Sequence, residues 1–313
     1  MVAPQSYIIT LGLLALTATA VGLYYSKNMI EEDSFQSRNL TSEGIDNTTL
    51  WLYYDQSDVN SRWWSDFGAR SSRVLNTPYL NLCYQSIVTK NGQIYNVKVL
   101  AGLSDVAILL GGWQELPKPL QNPIAPVGEA ELNYIRATIL QRFGGLWVNP
   151  SVICVKSFPD FTKSEKAIFT GTDKDESYSD SNGTPVPGID VMYSPGEGYE
   201  VFKFLENLAL KRIERQEGGK QFRKDIKWDI RQAMSMYICD YIPSLEFARK
   251  SSGRRIQLED LLGNENIPVS SDACYIPLDY EELQNRRNFG WFLRQSEDQI
   301  LESNLYISKL FSL

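Results

Sequence analysis

Histidine is absent from all 313 residues. That absence excludes Ser-His-Asp triads, Cys-His dyads, HExxH zinc sites and imidazole proton shuttles. Any chemistry on this chain rests on carboxylates, Arg, Lys, Tyr, amides, hydroxyls or a borrowed metal. Cysteine is scarce. Cys83, Cys154, Cys239 and Cys274 are far apart and form no CxxC pair, which excludes zinc-ribbon and thioredoxin-type sites. Cys83 and Cys154 lie inside apolar segments and read as small buried hydrophobes, with disulfide pairing left open. A surplus of positive charge is also missing. Acidic residues outnumber basic ones 38 to 31, so nothing supplies a general counter-charge for phosphates, and nucleic acid is excluded as a partner. With 43% apolar and 22% charged residues the chain is ordinary globular material, which excludes disordered and fibrous classes.

One long apolar run stands out. Tyr7 to Tyr25 carries no charge and spans about 28 Å at ~1.5 Å per helical residue. Tyr7 at one end and Tyr24-Tyr25 at the other resemble interfacial anchors. The Ala18–Ala20 stretch also fits a signal-peptide cleavage site, but no basic region precedes the run and it is long for a signal core. The reading is a retained N-terminal anchor over residues 1–27. Lys27 follows the span directly and Glu31, Glu32 and Asp33 come after it, which leaves the orientation open. The sequons at Asn39, Asn47 and Asn182 suit a luminal or extracytoplasmic body.

Residues 28–50 are polar and read as a stem. Residues 51–245 then read as one α/β domain, and 246–313 as a C-terminal subregion of the same body. Thr49–Tyr54 is a short aromatic strand. Tyr79–Val88 has helical spacing, and Ile94–Leu100 alternates like a strand. A Pro-rich loop, Pro117–Pro126, precedes a helix over Glu129–Phe143 that Gly144-Gly145 stops. Leu146–Val155 is an apolar strand on both sides of Asn149-Pro150. A strand at Ala167–Thr170, a polar loop at Asp173–Gly188 and helices at Tyr199–Arg215 and Ile226–Tyr241 follow. Strands separated by helices predict an α/β sandwich with a largely parallel sheet.

The window Glu131 to Lys156, ELNYIRATILQRFGGLWVNPSVICVK, carries the functional signal. It resembles the capsular-polysaccharide-synthesis family of glycosyltransferases, DXD-type sugar transferases of GT-A (Rossmann-like) fold related to the glycosyltransferase 32 group. The family pattern runs Ser-Asp-x-x-Arg, an apolar helix turn, Tyr-Gly-Gly, then an apolar strand ending in Asp-x-Thr or Asp-x-Asp. Here Leu132-Asn133 stands in the Ser-Asp place and Arg136 matches the Arg. Phe143-Gly144-Gly145 matches the helix end, Leu146-Trp147-Val148 the strand, and Asn149-Pro150-Ser151 the Asp-x-Thr slot. Upstream, Trp51–Gln56 is similar to the family's first strand and Cys83–Ser86 to its Cys-x-x-Ser helix. The similarity covers about residues 51 to 170.

The resemblance implies a nucleotide-sugar donor, a glycan acceptor and Mn or Mg. The leaving diphosphate needs its charge offset, which a strand-end carboxylate and its divalent metal provide and an Arg assists. It implies donor contacts at Trp51, Asn133, Arg136, Gly144 and Gly145, with the metal at Asn149 and Ser151. Both family aspartates are amides here, Asn133 for the sugar-contacting one and Asn149 for the metal-contacting one. An amide oxygen coordinates a hard cation without bringing negative charge. The sequence therefore points to reduced or lost transfer. The acids Asp173, Asp175, Glu176 and Asp180 are candidate substitutes, although an acidic run reads more simply as a solvated loop. Other readings are a non-catalytic structural or interaction protein at a membrane, such as a virion or membrane-assembly scaffold, and a sugar-binding module. As ordinary structural roles, Trp51, Tyr54, Trp63-Trp64 and Trp113 read as packing residues, and Lys211–Arg215 and Arg286-Arg287 as solvated faces.

Overall fold

The computed structural model describes residues 44–55, 77–121, 127–171, 187–215, 220–247, 256–279, 282–283 and 288–313. The anchor Tyr7–Tyr25, the sequons at Asn39 and Asn182, Trp63-Trp64, the acids Asp173 to Asp180 and Arg286-Arg287 lie outside them. Among the described residues no helix is long and apolar enough to cross a membrane.

In chain order the principal elements begin with strand β1 (Thr49–Tyr54), helix α1 (Pro78–Asn91), β2 (Asn96–Ala101) and α2 (Leu103–Leu110). Then come α3 (Glu129–Phe143), β3 (Gly145–Val148), β4 (Val152–Cys154), β5 (Ala167–Thr170) and β6 (Val191–Ser194). Helices α4 (Glu200–Glu214) and α5 (Lys220–Met236), strands β7 (Cys239–Ile242) and β8 (Tyr275–Pro277), and helices α6 (Glu297–Leu301) and α7 (Tyr306–Phe311) complete the set. A six-stranded sheet runs β2-β1-β3-β6-β5-β7, and β4 pairs with β8 in a separate ribbon. β1 is parallel to β2 and β3, and β5 is parallel to β7, while β6 runs against both β3 and β5. The sheet is therefore mixed rather than simply parallel. A four-residue apolar strand such as β6 carries no sequence mark of its direction, which depends on the side from which the chain returns.

Alternation along the strands sorts side chains onto two faces. Leu50, Leu52, Tyr54, Leu146, Val148 and Tyr193 face one core, shared with α1, the β4–β8 ribbon and the C-terminal residues Leu258 to Leu310. Trp51, Tyr53, Trp147, Phe169 and Met192 face the other, covered by α2, α3, α4 and α5. The result is a three-layer α/β sandwich. The C-terminal subregion belongs to this core: β8 registers Tyr275 on Cys154 and Pro277 on Val152.

Several local expectations change. The helix expected through Tyr241 ends at Met236, because Cys239–Ile242 pairs in register with all four residues of β5. Cross-strand pairing overrides the helical spacing of that stretch. Trp113 is 41% exposed and so is no packing residue. Arg212 is not merely solvated: its Nε and Nη2 grip Asp229 at 2.9 and 2.6 Å, tying α4 to α5. In the Cys83–Ser86 stretch the Ser86 hydroxyl donates to Cys83 O at 2.7 Å and accepts the Cys154 N–H at 3.0 Å, joining α1 to β4. Asn47, the sequon within the described residues, donates its Nδ2 to Thr162 O at 3.0 Å.

Candidate functional site at the carboxyl ends of the central strands

From β1 the chain crosses to β2 on one side, and β3 joins β1 on the other. Open α/β sheets receive ligands at such a switch point, outside the carboxyl ends of the strands. Asn149 is the first residue beyond β3. Because β6 is reversed, its amino end arrives at the same place, and Asp190 lies beside Asn149 one step past the Val148–Val191 pair. The Asn149 N–H donates to Asp190 O at 2.7 Å. Its side-chain Nδ2 donates to Asp190 Oδ1 at 2.9 Å, and its Oδ1 accepts the Ser151 N–H at 3.0 Å. Both ends of the amide are engaged.

Helix α3 packs on the sheet face that carries Trp147, buried without a break from Asn133 to Leu140. It therefore carries Asn133, Arg136 and Thr138 into the interior, and of these Thr138 is satisfied by donating to Glu206 Oε1 at 2.9 Å. Arg136 is 3% exposed and stands over the Trp147 ring, 5.5 Å from its centroid. Its Nε and Nη1 have no hydrogen-bond partner among the described residues, and neither has Nδ2 of Asn133, which is 4% exposed. Three residues apart on a helix, the two share a face. Burial pushes the Arg136 guanidinium below its ordinary range, and the attraction of Glu129 and Asp190 only partly offsets this.

The glycines have a different task. Gly144 and Gly145 have φ of +70° and +94°, and a Cβ on Gly145 would lie 2.4 Å from Thr49 O. They bring α3 directly onto β1, as the resemblance requires of a sharp helix-to-strand turn. Trp51 is fully buried, and its indole N–H donates to Gly144 O at 2.9 Å, so no ring face is open for a base. Ser151 donates its hydroxyl to Leu278 O at 2.8 Å, fastening the strand end to the C-terminal subregion.

Sequence reasoning missed the acids that the fold brings here. Asp190 is half-buried beside Asn149. Glu246, 7% exposed, lies against Gly171 together with the Tyr275 hydroxyl, which is 2.9 Å from Thr170 Oγ1. Burial, then Glu246 and Asp190, raise the Tyr275 phenol well above its ordinary range. The available signal was an acid placed directly before the apolar run Val191–Ser194, a strand-end position.

As a cation site the arrangement fits poorly. Asn149 turns its N–H donor, not an acceptor, toward Asp190, and its one oxygen is taken by Ser151. Among the described residues no three Cys, Asp or Glu side chains are grouped to hold a metal ion. No protein-family model matches the chain, and no curated protein matches it. Fold and site together define an α/β sandwich whose helix α3 holds buried donors without partners among the described residues, beside the central strands.

Proposed function

We propose that this chain is a glycosyltransferase-like protein of GT-A type that binds a nucleotide-sugar at the carboxyl ends of β1 and β3 and has reduced or no transfer activity. The observation that supports the reading is that Asn149 stands one residue past β3 at the sheet's switch point, bonded to Asp190, whose charge also acts on the buried Arg136, with Asn133 three residues before Arg136 on the same helix. Arg136 and Asn133 supply donors for the phosphates or sugar hydroxyls, and Trp147 holds the guanidinium in place through its ring face. In an active relative of this design a divalent cation offsets the diphosphate as it departs. Asn149, closed by Asp190 and Ser151, brings no charge to that task. The proposed body is tethered by Tyr7–Tyr25 as a single-pass anchor and faces the luminal or extracytoplasmic side. A mature N-terminus near Ala20, found by mass spectrometry, would remove the tether from the proposal.

The non-catalytic reading, a structural or interaction protein at a membrane, draws on the same closed amide. Calorimetric titration with common nucleotide sugars decides between them, and a donor-hydrolysis assay with manganese over the same donors measures what activity is left. Native protein is expected to show little or no turnover, and Asn149→Asp with Asn133→Asp is expected to gain manganese binding. Robust native turnover would overturn the loss of activity, and absence of nucleotide-sugar binding would overturn the glycosyltransferase-like reading.

A further inference from the structure

We infer that Arg136 and Asn133 receive a phosphate or diphosphate group directly, with no divalent cation between protein and ligand. The inference rests on reading this end of the sheet as the nucleotide-sugar site, and it adds how the charge of that ligand is met.

Three observations carry it. First, Arg136 Nε, Arg136 Nη1 and Asn133 Nδ2 are buried donors with no partner among the described residues. Buried polar groups are ordinarily paired, and one left bare costs the full loss of its hydration. A single orphan is a local defect; three on one helical turn form a receptor for acceptor atoms brought from outside. Second, the guanidinium is under-compensated. Burial lowers its pKa, and the attraction of Glu129 and Asp190 offsets this only in part. A bound anion would complete that compensation. Third, the residue in the family's metal position is committed elsewhere. A cation beside Asn149 would have to break the hydrogen bond to Asp190 and take the oxygen now held by Ser151.

The donor count selects the ligand. Nε and Nη1 lie on different edges of the guanidinium, so one planar carboxylate cannot take both, whereas a diphosphate has oxygens enough for each of them and for the Asn133 amide. The Trp147 ring lies 5.5 Å from the guanidinium carbon and favours its charge without taking up any of its N–H groups.

The test is calorimetric titration of the purified full-length chain with inorganic pyrophosphate and with the diphosphates of uridine and guanosine, each in manganese and in EDTA. Binding in EDTA at least as tight as in manganese is expected, because manganese competes for the same phosphate oxygens, with Asn133→Ala weakening binding about tenfold and Arg136→Lys more, since Lys keeps the charge and loses the spread of donors. Binding that appears only with manganese would overturn the inference and leave the nucleotide-sugar reading standing. Metal-free binding of pyrophosphate with no gain from either nucleoside would support the inference and overturn that reading. Failure of every probe in both conditions overturns the inference, as does Asn133→Ala binding like the native chain. Asn133→Ala is the milder change and keeps the test decisive should Arg136→Lys fail to fold.

Discussion

The side-chain amide of Asn149 donates to Asp190 Oδ1 at 2.9 Å, across the first position beyond the paired strands β3 and β6. The contact requires a donor on one partner. A carboxylate at position 149 would face Asp190 with like charge at hydrogen-bond distance, a geometry that needs a metal, a shared proton or separation. The amide at 149 and the acid at 190 thus belong together.

Asn149→Asp is nearly isosteric and keeps the acceptor for the Ser151 N–H, so its effect isolates the lost donor and the added charge. Without metal, one of the two carboxyls is expected to titrate above its unfolded value near ~3.9. A folded pKa raised in this way favours folding below the unfolded pKa and loses that advantage as pH rises through the folded one. The variant should match the native chain near pH 4 and be about 1–3 kcal/mol less stable at pH 7, by urea unfolding at the two pH values. Equal stability at both would show that the two side chains separate freely.

Gly145→Ala adds a Cβ 2.4 Å from Thr49 O, at a φ of +94°. Strain and backbone clash act together, and a loss of about 3 kcal/mol is expected. Gly198→Ala is the control: its φ is +77° with nothing within 4 Å, so conformational strain alone should cost about 1–2 kcal/mol. Chemical denaturation of both variants separates the two effects.

Trp51→Phe keeps most of the ring packing against Phe143 and removes the donor to Gly144 O. A buried carbonyl is then left without this partner, at about 2–3 kcal/mol of stability. Affinity for nucleoside diphosphates should not change, because the ring is sealed in the core. A selective fall in nucleoside affinity would restore Trp51 to a base-stacking role.

The thiols give a pH-dependent readout of the core. Cys83, Cys154 and Cys274 are buried, whereas Cys239 is half-buried at the start of β7, and burial raises its thiol to about 11. The thiolate is the nucleophile, so alkylation of native protein should begin at Cys239, be slow at pH 7 and rise about tenfold per pH unit toward 11. The other three should label only on unfolding. Mass spectrometry of partly alkylated protein checks the order.

Much of the framework was legible in one dimension. Glu129–Phe143 and Ala167–Thr170 are a helix and a strand over the spans their residue patterns predict, and Gly144-Gly145 marks the turn between α3 and β3. These features depend on neighbours along the chain: a periodicity, a stop, a short apolar run. Apolar spacing was less informative where long-range pairing decides. The segment Cys239–Ile242 has helical company on its amino side and becomes a strand because β5 offers it four partners.

The site divides in the same way. The sequence by itself determined that Asn133 and Arg136 share a helical face, through their spacing of three, whereas the apolar run Leu146–Val155 read as one strand and is divided at Asn149 into β3 and β4 of separate sheets. Only the tertiary structure decided what those residues meet. The reversal of β6 carries Asp190 to Asn149 from 41 positions away, closing the amide with an acid. The packing of α3 onto the sheet buries Arg136 over Trp147 and leaves its Nε and Nη1 without a partner among the described residues. Hydrogen bonding and desolvation act over a few ångströms of space, and residues that distant in sequence become neighbours only when the sheet is assembled.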